Sequence, residues 1–120
     1  MKTVMIFFLM VLFPLLSYSQ TARIAEEKTV FAERVQAGEI KLEMPSNITS
    51  ADVEKNAAYY TDYFTVDFDE NTQLATIKMK ENTPNKRRVI MRFLYSCGLN
   101  SVTIDSEEIT IHDFNDRYLK

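Results

Sequence analysis

The residues of this chain that could carry out chemistry are few, and the turn Met44–Thr49 is the first place to look for them. It separates an alternating strand pattern from a helical pattern, and loops in such places often carry function. Its polar side chains are the amide of Asn47 and the hydroxyls of Ser46 and Thr49. Hydroxyls are weak nucleophiles without an activating base, and they are hard ligands that suit soft metals poorly. The turn by itself therefore predicts no reaction.

Cys97 is the only cysteine and His112 the only histidine of the 120 residues. A single cysteine forms no internal disulfide, and a single histidine cannot serve both acid–base catalysis and a metal site. Cys97 falls on the apolar stripe of a helical pattern, which favours a small buried side chain over a redox thiol or a metal ligand. His112 is expected on the exposed side of a terminal strand. Met44, Cys97 and His112 could offer soft ligands to a metal, but their spacing does not bring them together.

Patterns typical of enzymes are missing from the sequence. There is no Ser-His-Asp set and no pair of carboxylates in apolar surroundings. The whole chain has two glycines, so it offers no glycine-rich loop of the kind that cradles phosphate. We therefore expect a protein that is not an enzyme and that uses no cofactor.

Two clusters are candidates for a surface that contacts a partner. Three tyrosines lie within Tyr59–Tyr63, and tyrosine is enriched at protein interfaces. A basic cluster at Lys86–Arg88, with Arg92, could meet an acidic partner. The competing interpretations are tyrosines packed at the edge of the core and a solvated basic helix face. The predicted partner surface consists of Tyr59, Tyr63, Lys86, Arg87 and Arg88.

The N-terminal residues have the layout of a secretory signal peptide. Lys2 precedes an apolar run from Val4 to Leu16, and the small residues Ser17 and Ser19 follow it. The run is short for a membrane span, which needs roughly 20 apolar residues. We expect residues 1–19 to be cleaved, with an uncleaved N-terminal anchor as the alternative.

Composition and charge are those of a folded, mildly acidic domain, with 46% apolar and 26% charged residues. Cleavage of residues 1–19 would remove Lys2 and leave 13 basic against 17 acidic residues, a net charge near −4. This charge argues against nucleic acid and anionic membranes as partners. The expected location is periplasmic or extracellular, and the expected partner is another envelope protein. We expect no integral membrane association after signal cleavage.

Periodicity and turn residues predict an α+β domain. Thr49 with Asp52 and Thr83 with Pro84 are helix-start patterns, and Gly98 is a helix-end residue. The predicted helices lie at Thr21–Ala37 (alternatively a strand at Thr29–Val35), from Thr49 onward, and from Thr83 to Gly98. The predicted strands lie at Glu39–Met44, Phe64–Asp69, Ala75–Lys80, Val102–Ile104 and Glu108–His112, with a turn at Glu70–Gln73 between the second and third. A frayed tail is predicted at Asn115–Lys120.

The central β-α-β-β-α-β order predicts a ferredoxin-like sandwich, which is an open sheet with two helices on one face. In its hairpin, Asp67 and Asp69 are expected to face Lys78 or Lys80. The predicted organisation is a signal peptide at residues 1–19, an N-terminal helical segment at 20–38, and a ferredoxin-like domain with a C-terminal extension at 39–120.

The stretch from Glu39 to Ile104 resembles the heavy-metal-associated domain, the small fold of copper chaperones. That family carries a Met-x-Cys-x-x-Cys loop at the start of its first helix. Met44 matches the methionine, whereas Ser46 and Thr49 stand where the two cysteines belong. Monovalent copper selects soft thiolates. The resemblance therefore implies a scaffold that has kept its shape and lost its metal ligands.

Two functional hypotheses follow. The first is a secreted or periplasmic, non-catalytic binding module that contacts another protein. The second is a heavy-metal binding protein, for copper or zinc, that uses a different site including Cys97.

Overall fold

The structure is a computed structural model that describes residues 19–120, so the predicted signal peptide lies outside the described residues except for Ser19. The strands are β1 (Thr21–Ile24), β2 (Glu39–Glu43), β3 (Phe64–Asp69), β4 (Leu74–Met79), β5 (Ser101–Ile104) and β6 (Glu107–Thr110). The helices are α1 (Lys28–Gln36), α2 (Ser50–Ala57) with a 3-10 turn at Ala58–Tyr60, α3 (Pro84–Arg87), α4 (Val89–Ser96) and α5 (Ile111–Phe114) with a π-helical turn at Asn115–Leu119. None of the helices within residues 19–120 is long and apolar enough to cross a membrane.

The six strands form one sheet in the order β3-β4-β2-β1-β5-β6, which confirms the mixed α+β architecture. One set of alternating strand residues, including Ile40, Leu42 and Ile77, is fully buried and belongs to the same core cluster as Ile90 and Phe93 of α4. The other set faces away from the core and is mostly polar, with Leu74 as an apolar member. The helices therefore cover one face of the sheet, as the alternation predicts.

The predicted helix at Thr21–Ala37 is wrong over its first part, because Thr21–Ile24 is the strand β1. Ala22 and Ile24 are buried in alternation, and β1 pairs in parallel with β5. The hydroxyls of Thr21 and Ser101 lie 2.7 Å apart along this pairing. β1 thus stands between β2 and β5 in the sheet. The helix α1 begins only at Lys28, so the alternative strand at Thr29–Val35 is also wrong.

The C-terminal prediction is wrong as well. The strand β6 ends at Thr110, and the residues that follow it form α5 and the π-helical turn rather than a frayed tail. Phe114 and Leu119 are fully buried. The ring of Phe114 lies 5.7 Å from that of Phe31 on α1, and Tyr118 meets Phe31 edge-on at 6.0 Å. These aromatic contacts hold the end of the chain on the core.

Several local predictions are confirmed. Thr49 and Asp52 form a capping box, with both hydrogen bonds at 3.2 Å. Thr83 accepts a hydrogen bond from the N–H of Lys86 at the start of α3. Gly98 has φ +87° and ends α4, as an αL residue should.

The hairpin of β3 and β4 has its predicted turn, but its side-chain pairing differs from the prediction. Asp67 stands opposite Thr76, and Asp69 opposite Leu74. Lys78 faces Thr65 instead. The register therefore sets no acid directly against a lysine in this hairpin, and the predicted ionic pairs are wrong.

Candidate partner-binding site

The turn Met44–Thr49 is closed by the protein's own groups. The side-chain amide of Gln73 donates to the carbonyl oxygens of Pro45 at 2.8 Å and Ile48 at 3.0 Å, while the N–H of Met44 donates to the Gln73 carbonyl at 2.7 Å. Met44 and Ile48 are each 4% exposed. Gln73 itself has φ +60°, an unusual conformation for a residue with a side chain. Gln73 of the β3–β4 hairpin therefore stabilises the turn. No pattern in the sequence predicts this contact.

Replacing Gln73 with alanine is expected to lower the free energy of unfolding by about 1–2 kcal/mol, because the Ile48 carbonyl loses the Gln73 amide and the Pro45 carbonyl keeps only the N–H of Ile48 as a donor. Gln73→Gly should be less destabilising than Gln73→Ala, since glycine adopts a positive φ without strain. Urea unfolding of the two variants and the wild type measures both differences. A Gln73→Ala variant as stable as the wild type would contradict the bracing role.

Cys97 lies half-buried at the C-terminal end of α4. Burial raises the pKa of its thiol from 9.0 to about 11, a rise that a hydrogen bond with Asn56 partly opposes and the nearby carboxylate of Asp52 adds to. A thiol with such a raised pKa is protonated at neutral pH and is a weak nucleophile and ligand. This environment is the opposite of that of a reactive cysteine.

Alkylation tests this environment directly. At pH 8 iodoacetamide should react with Cys97 about a hundredfold more slowly in the native protein than in the same protein unfolded in urea, because a pKa two units higher leaves about a hundredfold less thiolate. The native rate should keep rising until pH reaches about 11. Since the folded-state pKa lies above the unfolded one, the stability linked to this thiol is complete below pH 9 and is lost as pH rises through about 11. Equal rates in the native and unfolded protein would contradict the burial.

The three predicted soft ligands have separate surroundings. Met44 is a core residue, whereas the side chain of His112 is 68% exposed on α5, not on a strand as predicted. Its Nδ1 lies 3.7 Å from a carboxylate oxygen of Asp116. Within residues 19–120, no group of three or more His, Cys, Asp or Glu side chains is arranged to hold a metal ion.

A groove of about 670 Å³ lies beside α3 and α4, and we call it the basic groove. It is lined by Tyr63, Asn85, Lys86, Arg88, Val89, Met91 and Arg92. The Nζ of Lys86 lies 5.1 Å from the centre of the Tyr63 ring, within cation–π range. The groove therefore combines an aromatic ring and apolar side chains with cationic groups.

The cations of the groove have no acidic partner in the part of the chain that the structure describes. None of its lining residues is acidic. Within the described residues, no acidic oxygen lies within 4 Å of the charged nitrogens of Lys86, Arg88 or Arg92. The groove is thus a locally positive surface on a chain whose formal net charge is −3.

Neighbouring elements fix the orientation of these side chains. Ile90, Phe93 and Leu94 are fully buried on the inner face of α4, so Arg88 and Arg92, four residues apart, lie on its outer face. Across the groove, Tyr63 is held at the start of β3, where its carbonyl oxygen accepts a hydrogen bond from the N–H of Lys80 at 3.0 Å.

The groove brings together three of the five residues predicted for the partner surface: Tyr63, Lys86 and Arg88. Tyr59 is 75% exposed but does not line the groove. Arg87 is 4% exposed, so its assignment to a surface is wrong. The predicted partner surface omits Arg92, although its spacing of four from Arg88 places both on one helix face.

Compared with known protein families, with characterised proteins and with solved structures, the chain matches none. The resemblance to the heavy-metal-associated domain therefore remains a prediction from the sequence.

Proposed function

We propose that this chain is an exported, non-catalytic binding module that contacts another protein through the basic groove. Export is inferred from the signal-peptide pattern of residues 1–19. The observation that carries the proposal is the convergence around one concavity of an aromatic ring, apolar side chains and three cations that have no ionic partner among residues 19–120. Aromatic residues and arginine are the types enriched at protein interfaces.

The scaffold in this proposal is a ferredoxin-like one related in shape to the heavy-metal-associated domain. The elements from β2 to β5 keep that order along the chain, and β1 is inserted between β2 and β5. The family's second cysteine position is Thr49, whose hydroxyl caps α2. Its first is Ser46, an exposed hydroxyl. A structural cap in place of a thiolate supports a module that works through its surfaces.

Site-specific photo-crosslinking in the native host tests the proposal. A photoreactive side chain at Asn85, an exposed residue that lines the groove, should form one defined protein adduct. The control position is Lys78, which is exposed on the polar face of the sheet. This design leaves Lys86, Arg88 and Arg92 unchanged. It therefore detects a protein bound in the groove regardless of which interaction attracts that protein. No adduct from Asn85, or the same adducts from both positions, would overturn the proposal.

A further inference from the structure

The chemistry of the basic groove restricts what can occupy it. This restriction rests on the proposed function and adds the class of ligand to it. The groove offers three cations that no acidic group of the described chain pairs with, Lys86, Arg88 and Arg92. Its aromatic and apolar surface is formed by Tyr63, Val89 and Met91. A neutral apolar segment would leave the cations without partners, and a purely anionic one would leave the apolar surface uncovered. An occupant that carries both kinds of side chain satisfies both needs.

We infer that the basic groove binds an extended acidic segment of a partner protein in which acidic and apolar residues alternate. Arg88 and Arg92 are separated by one helical turn, a rise of about 6 Å along the axis. Alternate residues of an extended chain are about 6.8 Å apart and point to the same side. Carboxylates at alternate positions therefore match the axial spacing of the two arginine residues, whose guanidinium groups can bind carboxylates in a bidentate manner.

The intervening apolar side chains of such a segment point to its other side. In the groove they would meet the ring of Tyr63 and the half-buried side chains of Val89 and Met91. Lys86, held over the Tyr63 ring, offers a third cation next to this apolar surface. Because the pairs form near solvent, their attraction weakens as salt screens it.

The test uses a fluorescein-labelled probe peptide, Glu-Leu-Glu-Leu-Glu-Leu-Glu. The protein is the whole chain in the form purified from its native host. Two matched peptides replace either all glutamates by glutamine or all leucines by glycine. Binding is followed by fluorescence anisotropy at 50 mM and 500 mM NaCl. We expect the probe to bind at least about tenfold more tightly than either matched peptide, and about tenfold more weakly at the higher salt concentration.

The matched protein variants are Arg88→Ala/Arg92→Ala in the groove and Arg23→Ala/Lys78→Ala on the polar sheet face. All four residues are exposed, and each variant removes two positive charges. The groove variant should bind the probe at least about tenfold more weakly, and the sheet variant should bind as the wild type does. Circular dichroism and urea midpoints establish that both variants are folded.

Four results would overturn the inference: equal binding of the glutamate and glutamine peptides, equal loss in the two protein variants, a labelled eight-residue oligothymidylate that binds as tightly as the probe, or self-association of the protein that the groove variant abolishes. The last would identify a second copy as the occupant. An Asn85 adduct without probe binding would sink this inference and leave the proposed function standing. Probe binding without an Asn85 adduct would overturn the proposed function, and the assignment of the occupant to a partner protein with it, and would leave only the affinity of the groove for acidic, apolar peptides.

Discussion

Replacing Arg87 with methionine is expected to lower the free energy of unfolding by about 2–4 kcal/mol, although the residue lies in what reads as a surface basic cluster. Its side chain is 4% exposed. The Nε–H of Arg87 donates to the carbonyl oxygen of Leu119 at 2.6 Å, and an Nη–H donates to the side-chain oxygen of Asn82 at 2.7 Å. Hydrogen bonds from a charged donor are each worth about 1.5–3 kcal/mol.

The size of the effect comes from what Arg87 connects. Asn82 extends this hydrogen-bond network to the end of α1, because its amide donates to the carbonyl oxygens of Val35 at 3.1 Å and Gln36 at 2.9 Å. Leu119 belongs to the last turn of the described chain. One guanidinium at the end of α3 is thus linked to the ends of two other elements. Its removal leaves a buried carbonyl oxygen without a donor, which adds to the loss.

Urea unfolding of Arg87→Met and of the exposed neighbour Arg88→Met measures this difference. Both variants lose one positive charge and gain the same side chain. Arg88→Met should stay within about 0.5 kcal/mol of the wild type, as exposed substitutions usually do. Equal unfolding midpoints for the two variants would contradict the buried role of Arg87.

The second large effect is expected at the C-terminus, where Leu119→Ala should cost about 2–5 kcal/mol. Leu119 is fully buried one residue before the end of the chain. Its truncation leaves a cavity under the π-helical turn, and the turn carries the carbonyl oxygen that accepts from Arg87. For a domain of about 100 residues, a loss of 3 kcal/mol would lower Tm by roughly 12–24 °C.

Leu119→Ala also distinguishes the frayed tail predicted from the sequence from the packed turn of the structure. A frayed tail would tolerate the change without loss of stability, whereas a packed turn cannot. Lys120→Ala is the control, because the side chain of Lys120 is 65% exposed and pairs only with Asp116 within the described residues. It should leave the Tm measured by circular dichroism unchanged. An unchanged Tm for Leu119→Ala would show that the C-terminal turn contributes nothing to stability.

Much of the fold could be predicted because its signals are local. The alternation in β2, β3 and β4 marks half-buried strands, and the Thr49–Asp52 box marks the start of α2 within four residues. In the same way, Thr83 marks the start and Gly98 the end of the helical region that contains α3 and α4. Each of these signals depends on backbone geometry close to the residue that carries it.

The candidate site was predictable only in part. The basic cluster and the tyrosines were visible, and Tyr63, Lys86 and Arg88 do share a groove. The sequence does not show which member of the basic cluster points inward. The acceptors that hold the Arg87 side chain in the interior are on Leu119 and Asn82, outside its own helix. Composition alone cannot separate a buried arginine from an exposed one beside it.

The sequence by itself determined the mixed α+β class, the helix caps and the hairpin, since these follow from side-chain periodicity and residue types over short distances. The tertiary structure alone decided that Thr21–Ile24 joins the sheet, that Gln73 braces the Met44–Thr49 turn and that Leu119 closes the core. The physical reason is separation along the chain. Thr21 pairs with Ser101, 80 residues away, and the entropic cost of closing so long a loop is offset by the packing of the whole domain, which no local pattern reports.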